Sequence, residues 1–177
     1  MKTILALLVL TVACKTSGGG RASREVPHEA PKNLLLRLER TVCFGSCPDY
    51  VVEVDTDGAL RYQGNLFVLT AGKSTGHLAP DTIAGLRSAI DHAHFADTPV
   101  KCCDCIDSTD APSVMITVAD GRPPKTIDDY HGCEATPKPI RELEDAIDRI
   151  IGIERWIGKI EERKYCFPGS AACPTWR

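Results

Sequence analysis

Apolar and polar residues begin to alternate at Leu34. Leu34, Leu36 and Leu38 fall on one face and Leu35, Arg37 and Glu39 on the other. This predicts a half-buried strand, because successive side chains of a strand point to opposite faces. A turn-rich insert, Cys43-Phe44-Gly45-Ser46-Cys47-Pro48, interrupts the pattern, which resumes at Tyr50, Val52 and Val54. Asp57-Gly58 marks a hairpin, since glycine tolerates the positive φ such turns need, and Leu60 and Tyr62 continue on the return strand. Further short strands are expected over Leu66 to Leu69 and Lys73 to Leu78. Pro80-Asp81 then opens a helix: proline suits a first turn and aspartate complements the positive end of the helix dipole. Ile83, Leu86, Ile90 and Ala93 recur along one helical face, and Phe95 closes its end.

Val114, Ile116 and Val118 alternate with Ser113, Met115 and Thr117; Asp120-Gly121 is a second turn, and Lys125 to Asp128 should return as a strand. Pro137 and Pro139 bracket the start of a second helix, with Ile140, Leu143, Ile147 and Ile150 on its buried face. Glu142, Glu144, Asp145 and Asp148 are assigned mainly to its solvated faces. Trp156 and Ile157 follow and are expected to cap the core. The two halves share a strand, hairpin and helix order, which needs no duplication to explain it. The predicted class is α+β: a mostly antiparallel sheet with two helices packed on one face.

The 177 residues are 43% apolar and 25% charged, an ordinary balance for one globular core. A net charge of −3 supplies no basic field for a nucleic acid backbone, so nucleic acid is not expected as a partner.

The first residues, MKTILALLVLTVAC, place Lys2 before an unbroken apolar run from Ile4 to Leu10. That run is too short for a bilayer core of about 30 Å and has the size of a signal-peptide core. Ala13-Cys14 resembles the lipobox of bacterial lipoproteins, in which the cysteine becomes the lipid-bearing first residue. Thr11 stands where that motif usually carries Leu. Secretion with cleavage after Ala13 and an uncleaved anchor are the alternatives. The resemblance implies a signal peptide over 1–13, lipidation of Cys14 and attachment to a membrane through that lipid. Lys15, rather than Asp, after the cysteine implies the outer membrane. Residues 14–33 carry three consecutive glycines and no periodic apolar face, which reads as a flexible tether. The folded domain is expected over 34–157, with a cysteine-containing tail over 158–177.

Nine cysteines are many for this length. With Cys14 lipidated, eight remain: Cys43, Cys47, Cys102, Cys103, Cys105, Cys133, Cys166 and Cys173. An even set outside the cytosol reads as a disulfide framework. Cys43 is expected to pair with Cys47, Cys166 with Cys173, and Cys133 with one of Cys102, Cys103 or Cys105. Neighbours Cys102 and Cys103 are not expected to bond each other, because the small ring strains the peptide.

Three sharper chemistries compete. Cys102-Cys103-x-Cys105 with His131-x-Cys133 offers soft ligands that suit zinc, but without the paired CxxC knuckles of structural sites. Cys43 and Cys47 form a CxxxC, one residue longer than the thioredoxin-type motif. Ser46 lies in no GxSxG elbow. His131, within Asp128-Asp129-Tyr130-His131-Gly132, is the best isolated histidine: its acidic neighbours could orient it as a general base, against the plainer reading of a strand-end loop in which it bonds backbone. His92 and His94 sit at a helix end, where the dipole favours a cation. No dinucleotide, P-loop or haem motif is present, so no cofactor and no catalytic or metal set is assigned.

Arg40-Thr41-Val42-Cys43-Phe44-Gly45-Ser46-Cys47-Pro48-Asp49-Tyr50, the Asp57-Gly58 hairpin, Thr109 to Pro112, Tyr130 to Gly132 and Arg155-Trp156 occur in the order seen in a bacterial domain-of-unknown-function family, number 6438. The chain resembles a lipoprotein-type member of it over about residues 34–157. The resemblance implies fold and envelope context and supplies no catalytic residue. A functional loop is expected around Tyr130 and His131, where the Cys-Phe-Gly-Ser-Cys-Pro loop could meet it. The expected role is a non-enzymatic binding or structural one in the envelope, toward an envelope protein or a small ligand. The alternative is a metal-binding or thiol-redox protein using the cysteine loops and His131.

Overall fold

A computed structural model describes residues 33–100, 110–133 and 136–163. Six strands form one sheet: β1 (Leu34–Arg40), β2 (Asp49–Asp55), β3 (Ala59–Leu66), β4 (Gly72–His77), β5 (Ser113–Val118) and β6 (Lys125–Tyr130). Their order is β4-β3-β2-β1-β5-β6, and every neighbouring pair is antiparallel. Helices α1 (Pro80–His92) and α2 (Lys138–Ile151) pack against each other and on one face of the sheet. The one-turn helix α3 (Glu154–Ile157) and a 3-10 turn at Ile160–Glu162 follow. The class is α+β, as the alternation predicts.

Register explains the core. Tyr62, Val52, Leu38, Ile116 and Ile127 stand opposite one another in a row across five strands. All five are buried, and they meet Ile83 and Leu86 of α1 and Ile140, Leu143 and Ile147 of α2. Full burial of such a side chain stabilises by roughly 1.5–3 kcal/mol. The row needs both helices to cover it, which is why they lie side by side. Trp156 and Ile157 pack against this core as expected, and the Trp156 indole stacks on Tyr62 with centroids 4.9 Å apart.

Four expectations are corrected. The pairing of β1 with β2 shifts between Leu34 and Leu36. This bulge turns Leu35 into the core cluster, fully buried, where strict alternation put it outside. Residues 66–69 form no strand of their own: the amides of Leu69 and Thr70 donate instead to Ile157 and Trp156 carbonyls at 3.0 and 2.8 Å. Ile151, more than Ile150, completes the buried stripe of α2. Helical structure also continues beyond the two expected helices, through α3 and the 3-10 turn.

The two hairpins form where the Asp-Gly pairs predict them. Gly58 has φ 93° and packs under the Leu78 carbonyl, a place no side chain could share. Asp120 and Gly121 have φ 41° and 76° and close a turn from the Arg122 amide to the Ala119 carbonyl at 2.8 Å. Gly152, at φ 69°, ends α2: its amide and that of Ile153 turn back to the carbonyls of Arg149 and Asp148. The face of the sheet away from the helices is charged. Arg37 and Arg61 interleave with Glu39, Glu53 and Asp55 in ion pairs of 2.6–3.5 Å, which keeps that face wetted.

Candidate functional site

One end of the sheet gathers polar groups on the helix side, where apolar residues would otherwise continue. Arg40 follows Leu36 and Leu38 on the inward face of β1, and Tyr50 precedes Val52 and Val54 on β2. Asp129 follows Ile127 on β6, and its partner across the ladder is Val114. Each is the inward position nearest this end of its strand. Above them, α2 presents Arg141, Glu144, Asp145 and Asp148.

The contacts form a connected network. Arg40 Nε and Nη2 donate to Asp148 Oδ2 at 2.9 and 2.8 Å, and Nη2 also reaches Asp145 at 3.4 Å. The Tyr50 hydroxyl donates to Asp148 Oδ1 at 2.7 Å. Arg40 Nη1 lies 3.8 Å from Glu144 Oε2. That same carboxylate oxygen is 2.8 Å from His131 Nε2, which in turn lies 3.7 Å from Asp129 Oδ2. Asp129 takes hydrogen bonds from Thr136 on one oxygen and from Arg141 Nε, at 3.1 Å, on the other. Arg141 also donates to the Cys133 carbonyl. Asp129 and Glu144 are each only 1% exposed. Glu144 Oε1 has no hydrogen-bond partner.

Burial dominates the proton affinities here. It pushes the Glu144 and Asp148 carboxyls above the usual carboxylate range, against the pull of His131 on the first and of Arg40 and Tyr50 on the second. The hydrogen bond to Glu144 raises His131, against a smaller opposing effect of burial. Burial and the Asp148 charge together hold the Tyr50 hydroxyl protonated.

These positions correct the assignment of the α2 acids to solvent. Glu144 lies four residues after Ile140 and three before Ile147, both core residues, so the helical wheel places it inside. Asp148 sits one turn further on the same flank and is largely buried. Glu142 and Asp145 do face solvent, with side chains 57% and 74% exposed. His131 also differs from its plainer reading: its main-chain amide donates to the Pro112 carbonyl at 2.9 Å, but its ring meets Glu144.

The loop expected around Tyr130 and His131 and the Cys43–Cys47 loop lie on either side of the 110–113 segment. Phe44 N donates to Asp110 O at 2.9 Å, and Ser113 N donates to Thr41 Oγ1 at 2.8 Å. On the other side, the amide of Ala111 donates to the Tyr130 hydroxyl at 3.3 Å. The Tyr130 ring lies across Gly132, where a Cβ would come within 2.3 Å of a ring carbon. That close approach is why glycine follows His131. Cys43 and Cys47 are bridged, with Cα atoms 5.5 Å apart. Cys133 is also disulfide-bonded. None of these three is a thiolate able to ligate zinc in this state. The expected partners Cys102, Cys103 and Cys105, the pair Cys166 and Cys173, and the lipidation site Cys14 lie outside the described residues. His92 ends α1 and His94 follows at φ 50°; neither joins the network.

A cleft of roughly 250 Å³ opens beside the network, and Arg40, Tyr50, Asp145, Asp148, Cys47 and Pro48 are among the residues that line it. Phe44, in the disulfide loop, is 90% exposed, and Val42 is 43% exposed.

No curated protein matches the chain. The model of a family described as Domain of unknown function (DUF6438) matches residues 34–151, from the first residue of β1 to the last residue of α2. That span holds the whole sheet, both main helices, the disulfide loop and every residue of the polar network, and the chain belongs to the DUF6438 family.

Proposed function

We propose that this chain is a lipid-anchored protein of the bacterial envelope whose domain binds another envelope protein at the disulfide-loop end of the sheet. The observation that carries the binding reading is Phe44. A large aromatic side chain stands in water on a five-residue loop that is closed by Cys43–Cys47 and tied at its own amide to Asp110. Leaving such a ring unburied forgoes roughly 1.5–3 kcal/mol. Fixing the loop in advance lowers the ordering cost of association, and aromatic residues in such positions are the usual anchors of protein interfaces. Beside it the cleft presents the exposed Asp145 carboxylate. A partner segment with an apolar side chain for Phe44 and a basic one for Asp145 fits this surface.

The envelope location draws support from two features. The lipobox-like Ala13-Cys14 provides an anchor, and bridged Cys43, Cys47 and Cys133 suit an oxidising compartment. Among the described residues no helix is long and apolar enough to cross a membrane. Acylation by several chains would hold the protein stably, where one chain would not.

The test is site-specific photo-crosslinking in intact cells. A photo-reactive phenylalanine at position 44 should give a discrete protein adduct. One at Glu53, on the charged sheet face, should give none. Asp145→Lys and the double change Cys43→Ala/Cys47→Ala should each weaken the adduct, the first by charge and the second by loosening the loop. Adducts no stronger from position 44 than from position 53 would overturn the reading.

A further inference from the structure

We propose that Asp129, His131 and Glu144 form a binding site for a first-row divalent cation of the zinc type. The three residues offer one imidazole nitrogen and two carboxylate oxygens, all within 4.8 Å of one another. An ion about 2.1 Å from two ligands at a tetrahedral angle holds them about 3.4 Å apart. The observed 2.8 Å from His131 to Glu144 and 3.7 Å from His131 to Asp129 bracket that spacing. No large movement is needed to admit an ion between them.

A second observation points to a ligand independently of the grouping. Glu144 is 1% exposed, and its Oε1 is buried without a hydrogen-bond partner. A buried carboxylate oxygen left without a partner is costly, and native structures rarely keep one without use. The carboxylate that carries it is the one already facing His131.

The surroundings suit a metal centre in other ways. Thr136 and Arg141 hold Asp129 by hydrogen bonds, so that carboxylate is oriented from outside. Such outer partners fix ligand geometry and raise affinity. His131 is 31% exposed at its side chain, which leaves an entry path and an open coordination position for water or a partner's side chain. The mixed nitrogen and oxygen set favours zinc or a similar borderline ion over calcium, which takes oxygen ligands alone. The site uses no cysteine, so it is compatible with a fully oxidised domain.

The test uses the full disulfide-bonded chain, stripped with chelator and titrated with Zn²⁺ by calorimetry. We expect one equivalent to bind. His131→Gln and Glu144→Gln should each weaken binding by more than about 100-fold, and Thr136→Val, acting through Asp129, by about 10–100-fold. Circular dichroism of each ion-free variant checks its fold. Should a variant fail to fold, the wild-type chain still decides: substoichiometric Co²⁺ should broaden the ring resonances of His131 before those of His77 and His92. No binding at millimolar Zn²⁺ would overturn the proposal. So would unchanged affinity in folded His131→Gln, or Co²⁺ broadening confined to other histidines.

Discussion

Replacing Tyr50 by phenylalanine removes one oxygen and little else. The ring stays in the core beside Tyr62, with centroids 6.0 Å apart. What is lost is the hydroxyl donor to Asp148 Oδ1 at 2.7 Å. Arg40 engages only the other oxygen, Oδ2, through Nε and Nη2. Oδ1 is thus left without its donor at a carboxylate that is 18% exposed. A hydrogen bond to a charged group contributes about 1.5–3 kcal/mol, so Tyr50→Phe should destabilise the domain by about 2 kcal/mol. Asp148→Asn should cost more, about 3 kcal/mol, because it strips Arg40, 15% exposed, of its main counter-charge. The double variant should fall short of the sum by at least about 1 kcal/mol, since both changes remove one shared contact. Urea unfolding with the disulfides intact measures all three, and an unchanged slope shows that the comparison is sound. A cost below about 0.5 kcal/mol for Tyr50→Phe, or strict additivity in the cycle, would refute the view that the Tyr50–Asp148 hydrogen bond is shielded from water.

Leu35→Ala should cost about 2–5 kcal/mol, as for a core leucine; a loss under about 0.5 kcal/mol would mean that the bulge does not turn Leu35 inward. Cys43→Ala/Cys47→Ala should destabilise by about 2 kcal/mol from loop-closure entropy alone, read from the urea midpoint, and equal stability would mean that the bridge does not form. Arg87 grips Asp120 through two hydrogen bonds of 3.0 and 2.8 Å and holds its carboxyl below the usual range. A lowered folded value means that this contribution is present above the unfolded value of about 3.9 and is lost as pH falls through the folded one. Both side chains are more than a third exposed, so the pair is worth no more than about 1 kcal/mol. Wild type should exceed Arg87→Met by that amount at pH 6, and the gap should close by about pH 2. A gap that persists in acid would contradict it.

The sequence reveals the fold more fully than it reveals the site, for a physical reason. Strand period and helix period are carried by many residues at once, so Leu36, Leu38, Val52, Val54 and the isoleucines of α2 specify faces redundantly. Features that depend on one residue are harder. The bulge at Leu35 has no glycine to mark it, and residues 66–69 look like a strand until α3 supplies their hydrogen-bond acceptors. The polar network was partly legible. Arg40, Tyr50 and Asp129 each occupy the inward phase of their strand, and Glu144 occupies the inward phase of its helix. Assigning Glu144 to solvent follows from residue type, where position is the better guide. What alternation cannot show is that the four phases converge at the same end of the sheet. That follows from the order β4-β3-β2-β1-β5-β6, which sets β1 between β2 and β5. His131 was visible as an isolated histidine, but its partner thirteen residues away required the fold.

We propose that this domain is displayed outside the cytosol on a lipid, with its loop locked by sulfur. Intact-mass measurement of the protein isolated from membranes without reductant tests this most directly. The expected mass is that of a chain beginning at acylated Cys14, with Cys43 and Cys47 linked in the peptide map. A chain still carrying Met1, with no lipid and with Cys43 and Cys47 open to alkylation before reduction, would contradict it.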